Sequence, residues 1–148
     1  MTEKERARDL FLEGFNCSQS VFTAFCHRFG IEEEAAKKIS AGLGGGVGRQ
    51  REVCGAVSGA AMVLGCISAP TEGGDSESKK RNYELVTEFC DRFRQLHSSI
   101  VCREILADKA KNKGTVPDER TAEYYKSRPC LKAVEDAAEI LMQMLKEN

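Results

Sequence analysis

Residues 42–48 read Gly-Leu-Gly-Gly-Gly-Val-Gly, five glycines in seven positions. The segment after them is a helix built from residues too small to cover it. Such a loop adopts backbone angles that side chains disfavour, or lets another group come close. The helix predicted from about Glu52 to Ile67 carries Cys54, Gly55, Ala56, Gly59, Ala60, Ala61 and Leu64. A glycine inside a helix costs about 1 kcal/mol relative to alanine. That cost is offset when a second helix packs at short range. The segment is therefore expected to be the central, most buried helix, and the rest of the chain must supply its partners.

Those partners are helices as well. Helical periodicity dominates and no strand pattern is present. A first helix is predicted from about Glu3 to Leu12, with Ala7, Leu10 and Phe11 facing inward and Gly14 ending it. Asn16 is a suitable N-cap for a second, reaching about Phe29 and stopping at Gly30. A short helix follows from about Glu32 to Ser40. Another spans about Lys79 to Leu96 with a stripe of Tyr83, Val86, Phe89, Cys90 and Phe93. A short helix then holds Cys102 in its first turn, with Ile105 and Leu106 inward. Tyr124 and Tyr125 begin a short helix or an extended approach. Pro129 is placed at the first position of the last helix, whose stripe is Leu131, Val134, Ala138, Leu141, Met142 and Leu145. Ser68–Ser78 and Asp108–Asp118 read as exposed loops. With no internal repeat, residues 1–148 are expected to form a single all-α domain, a bundle of five to seven helices.

Charged residues make up 30% of the chain and nearly cancel, leaving a net charge of −1. That balance gives no support for nucleic acid or an acidic membrane surface as partner. The charged N-terminal stretch is not a signal peptide, and the apolar run around Ala60–Ile67 is too short to span a bilayer. A cytoplasmic location without membrane insertion is expected, where thiols are kept reduced. This bears on the seven cysteines, at positions 17, 26, 54, 66, 90, 102 and 130. No Cys-x-x-Cys occurs, and an odd number argues against a purely structural disulfide framework. Cys17, Cys54, Cys102 and Cys130 fall at or near predicted helix starts, where unpaired N–H groups and the macrodipole favour a thiolate. Arg49, Arg51, Arg103 and Arg128 add positive potential. Cys17 shares a face with Val21 and Phe25, and Cys130 with Val134 and Leu141. These thiols are therefore directed inward, where facing helices of a bundle assemble sites. Cys26, Cys66 and Cys90 lie in mid or late turns and read as small core hydrophobes.

The pieces Gly14-Phe15-Asn16-Cys17-Ser18-Gln19-Ser20-Val21, the glycine loop, Cys54-Gly55-Ala56-Val57-Ser58-Gly59, Val101-Cys102-Arg103-Glu104-Ile105-Leu106, and Cys130 ahead of Ala137-Ala138-Glu139-Ile140-Leu141 occur in this order. Together they resemble the redox-active family named for its CGAxxG motif and its spaced single cysteines. The resemblance covers nearly the whole chain. It implies a small helical protein with four characteristic cysteines, here Cys17, Cys54, Cys102 and Cys130.

Two chemistries suit four such cysteines. In thiol/disulfide exchange, Cys54 is the expected attacking thiolate because it combines a helix start, the glycine loop and basic neighbours; Cys17, Cys102 or Cys130 resolves it. In the other, all four are ligands of an iron–sulfur cluster, with a four-thiolate zinc as the structural variant. The backbone at Gly45, Gly46 and Gly55, and the Ser58 hydroxyl, are the expected contacts to a sulfur or cofactor. The loop lacks the Gly-Lys-Ser/Thr of a P-loop, no strand precedes it as a dinucleotide fingerprint requires, and no Cys-x-x-Cys-His marks covalent haem. An alternative is a transporter-associated module binding a metal or small anion. A third reading is a structural or partner-binding domain with inert cysteines. His27 and His97 read as helix C-terminal residues rather than as a base or ligand. A redox partner is implied without being specified, and a homodimer through the small-residue helix is compatible with the pattern.

Overall fold

The computed structural model describes residues 1–109 and 114–147 of the chain. Eight α-helices and no strands are found among the described residues, the all-α architecture expected from periodicity. They are α1 (Glu3–Leu12), α2 (Cys17–Phe25), α3 (Glu33–Ser40), α4 (Gly55–Ser68), α5 (Ser76–His97), α6 (Cys102–Leu106), α7 (Ala122–Ser127) and α8 (Cys130–Glu147). Eight is one more than the upper end of the expected five to seven, and α7 is the segment read as either a short helix or an extended approach.

Local chemistry sets the boundaries. Thr2 and Glu5 form a reciprocal capping box on α1, and Asn16 and Gln19 form another on α2. The stretch expected to continue α2 is instead a tight 3₁₀ turn, Cys26–Phe29, closed by Gly30 in the left-handed region. α4 starts later than its small residues suggested. Residues 52–54 are extended and meet residues 100–102 in a single antiparallel bridge, Val53 with Val101. The Cys54 amide donates to the Ile100 carbonyl at 2.8 Å, leaving Cys54 as the N-cap of α4. α5 starts earlier than expected because the Asp75 side chain accepts from the Ser78 amide at 3.0 Å. The preceding loop is correspondingly shorter. Pro129 sits just ahead of α8, its carbonyl accepting from the Ala133 amide at 2.8 Å.

α4 lies at the centre and packs on α2, α5 and α8, while α1 covers α2 and α8. Gly55 and Gly59 form the surface that meets α2. A Cβ on Gly55 would stand 3.0 Å from the Ser18 amide nitrogen and 3.1 Å from the Cys17 Cβ. One on Gly59 would stand 3.0 Å from the Ser18 carbonyl oxygen and 3.1 Å from the Val21 Cβ. The small-residue face is thus taken up within the chain. Phe11, Phe25, Phe89, Phe93, Leu64 and Leu141 fill the core around it. Two sequence expectations change here. Tyr83 is 67% exposed, and the buried stripe of α5 runs through Leu85, Phe89, Cys90 and Phe93. Cys66 is exposed and fills no core, whereas Cys26 and Cys90 are buried as expected. No described helix is long and apolar enough to cross a membrane.

His97 ends α5, but its ring does not simply meet the last carbonyls. It stacks on Phe93 at 4.5 Å and pairs with Asp136 of α8 at 2.9 Å. Lys132 holds the other Asp136 oxygen at 2.7 Å. His27 lies 3.3 Å from Glu3.

The α2–α4 contact makes a contrast testable. Gly59→Leu is expected to lower unfolding free energy by about 2–3 kcal/mol, since overpacking must separate the two helices. Gly65→Ala, with nothing within 4 Å of the added methyl, is expected to raise it by about 0.5–1 kcal/mol. Urea titrations of the two variants check both signs.

Candidate functional site

Four helices deliver one cysteine each from their N-terminal ends. Cys17, Cys102 and Cys130 are the first residues of α2, α6 and α8, and Cys54 caps α4. All four line one cavity of about 600 Å³. The four positions read from the sequence are therefore brought together, and Cys26, Cys66 and Cys90 are not among the lining residues.

The glycine loop forms one wall. Gly45 (φ +66°), Gly46 (φ +73°) and Gly48 (φ +56°) are left-handed, and so are Val47, Arg49 (φ +66°) and Arg51 (φ +63°). For residues with a side chain this conformation is strained, at about 1 kcal/mol or more each. Backbone bonds hold it in place, including Gly48 N–H to Gly42 O at 2.8 Å and Arg51 N–H to Gly45 O at 3.1 Å. The result is that Arg49 and Arg51 both reach the cavity. Gly45 and Gly46 pack closely on Arg49, Arg51 and Glu52, so their lack of a side chain serves the loop's own folding as well as the cavity wall. Gly55 lines the cavity. Ser58 is not among the lining residues, and its amide donates to the Cys54 carbonyl at 3.0 Å.

A shared carboxylate gathers the arginines. Asp118 lies 3.0 Å from Arg128, 3.4 Å from Arg49 and 4.0 Å from Arg51. The segment expected to be an exposed loop, Asp108–Asp118, thus ends in an inward anchor; its residues 110–113 lie outside the described residues. Arg120 donates to the Phe11 carbonyl at 2.8 Å and the Phe15 carbonyl at 3.0 Å, and sits over the rings of Phe11 and Tyr124. Arg51 reaches the Cys102 sulfur at 3.8 Å.

The thiols differ sharply in this field. Cys130 is brought down to about 7, first by the hydrogen bond from Cys17 and then by the charges of Arg128, Arg120 and Arg51, with burial opposing. Cys17 is pushed well up, first because it donates to Cys130 and next by burial. The asymmetry follows from the arginines, which act on Cys130 while Cys17 faces the other sulfurs. The pair loses its first proton from Cys130 and keeps the second on Cys17. Burial pushes Cys54 up to about 12 despite the Ala56 and Val57 amides. Burial also raises Cys102, although Arg51 pulls against it. Burial and the nearby Cys130 charge bring the Tyr124 phenol up to about 12. The helix-start reasoning that singled out Cys54 is outweighed at that position by desolvation.

The donor set of four thiols suits an iron–sulfur cluster or zinc in kind. Among the described residues no three Cys, His, Asp or Glu side chains converge closely enough to hold a single metal ion such as zinc. Asp118, Arg120 and Tyr124 belong to the site and were absent from the sequence expectation. Only the excess of basic residues near the cysteines hinted at them, and their sequence separation concealed the rest.

A helical bundle with four helix-start cysteines around an arginine-lined cavity defines the class. The chain matches, over residues 15–144, the family described as "Putative redox-active protein (C_GCAxxG_C_C)", and it belongs to that family. The match spans all four cavity cysteines. No curated protein and no solved structure matches the chain.

Alkylation should separate the thiols by pH. The thiolate is the nucleophile, so the rate of the fastest-reacting cysteine is expected to rise with pH through about 7 and then level off. Peptide mapping should place that modification on Cys130, with Cys54 unmodified in the folded protein. Arg128→Gln should move the midpoint to higher pH, because it removes a charge that favours the thiolate.

Proposed function

We propose that the protein exchanges two electrons between dithiol and disulfide forms of the Cys130–Cys17 pair. The observation that supports this reading is the shared cavity in which Cys17 and Cys130, the first residues of α2 and α8, lie with Arg51, Arg120 and Arg128, a setting that lowers Cys130 and raises Cys17. Cys130, at the start of α8, is the attacking group in place of the Cys54 expected from sequence.

The chemistry balances as follows. The Cys130 thiolate attacks one sulfur of a substrate disulfide, forming a mixed disulfide and expelling the first thiolate. Cys130 is then neutral and no longer accepts from Cys17. The largest cause holding the Cys17 proton is thereby removed. Cys17 gives its proton to the departing thiolate and attacks the Cys130 sulfur. An intramolecular Cys17–Cys130 disulfide forms and the second half of the substrate leaves as a thiolate, which takes a proton from water. One disulfide is reduced to two thiols, and one protein dithiol is oxidised. Cys54 and Cys102 stay protonated and close the floor of the cavity.

Mild oxidation is expected to reduce the titratable thiols from seven by two, with the cross-link mapping to Cys17 and Cys130. Cys130→Ser should slow disulfide reduction by about 100-fold or more. Cys17→Ser should trap the mixed disulfide on Cys130, visible as an added mass. Cys54→Ser should leave exchange within a few-fold of the native protein. Seven thiols unchanged after oxidation, or stoichiometric iron or zinc shielding all four cavity cysteines in anaerobically prepared protein, would sink the proposal.

A further inference from the structure

The cavity around the Cys130–Cys17 pair is more basic than exchange with a neutral disulfide requires. Arg49, Arg51, Arg120 and Arg128 line it, and Asp118 is the one carboxylate among its described lining residues. With Cys130 ionised, four positive charges face two negative ones. The guanidiniums are not solvated surface groups: the side chains of Arg49, Arg51 and Arg128 are 15%, 19% and 9% exposed. Burying cations without matching anions is costly. Arg120 takes two backbone carbonyls and aromatic faces, with no carboxylate partner among the described residues.

Two of these arginines are also held in left-handed backbone, a conformation that costs energy and is relieved by glycine. At Arg49 and Arg51 the strain is retained together with a cationic side chain at the cavity. The volume, about 600 Å³, is that of a site for a small molecule rather than for a folded protein's disulfide.

Resting on the redox reading above, we infer that the substrate is a small anionic disulfide: a low-molecular-weight thiol in oxidised form whose carboxylates are drawn to the positive wall of Arg49, Arg51, Arg120 and Arg128 while its sulfur meets Cys130. Because the arginines are held by Asp118 and by backbone carbonyls, they act on the substrate as a fixed field of positive charge. The transfer is the one already balanced, with two anionic thiols leaving.

Three disulfides test it on the intact reduced protein: glutathione disulfide (anionic), bis(2-hydroxyethyl) disulfide (neutral) and cystamine (cationic). Each rate is divided by the rate of the same disulfide with free cysteine thiolate, which removes intrinsic leaving-group differences. Glutathione disulfide is expected to exceed cystamine by about tenfold or more at low ionic strength. The preference should shrink towards parity near 0.5 M salt, roughly where charges are screened within a few ångströms. Arg49→Gln should lower the anionic-to-neutral ratio, Arg49→Lys should restore part of it, and Asp118→Asn should raise it. The salt series needs no variant, so a substitution that fails to fold leaves the test intact. Cystamine reacting as well as or better than glutathione disulfide, with both modifying Cys130, overturns the substrate class and spares the redox reading. No reaction of any of the three at Cys130 overturns both.

Discussion

Gly55 and Gly59 present backbone rather than side chain to α2, and the site depends on the closeness this permits. An added carbon at either position would stand about 3 Å from Ser18 of α2. Because α2 lies that near, its first residue, Cys17, shares a cavity with Cys54 at the start of α4. α8 packs on both helices, so that Cys130 lines the same cavity as Cys17 and Cys54. Widening the α2–α4 spacing would therefore disturb core packing and thiol chemistry together.

A second constraint is electrostatic. Three arginines converge on Asp118, from the glycine loop and from the turn before α8. One carboxylate does not neutralise them, and Arg51 and Arg128, with Arg120, favour the thiolate form of Cys130 beside its interaction with Cys17. Proximity to a helix start is shared by all four cysteines, so the dipole alone does not distinguish them. Burial and the arginines do: Cys54 is held at about 12 and Cys130 at about 7 within one cavity. The difference in environment separates four chemically identical residues, lowering Cys130 and raising Cys17, Cys54 and Cys102.

Much of the fold is legible in the sequence because its signals are local. Asn16 and the glycines at 14 and 30 act within a few residues of themselves: α1 and the start of α2 fall where expected, and Gly30 closes the helical run although its last turn is 3₁₀. The signals misled where a distant segment intervened. Residues 52–54 are drawn out of helix by pairing with 100–102, and Tyr83 loses its place in the α5 stripe because the neighbouring helices contact a different face. His97, which reads as a helix-terminal residue, is claimed by Asp136 far along the chain.

The chain's sequence by itself determined the helical class, the central small-residue helix, and the placement of four cysteines at helix starts, since periodicity, glycine content and capping all act over short range. Only the tertiary structure decided which of those cysteines is lowered and which are raised. That depends on through-space distances to Arg51, Arg120 and Arg128 and on the depth of each sulfur, and neither quantity is encoded in spacing along the chain. It also decided that Asp118, Arg120 and Tyr124 belong to the site, because residues separated by a hundred positions meet only when the bundle closes.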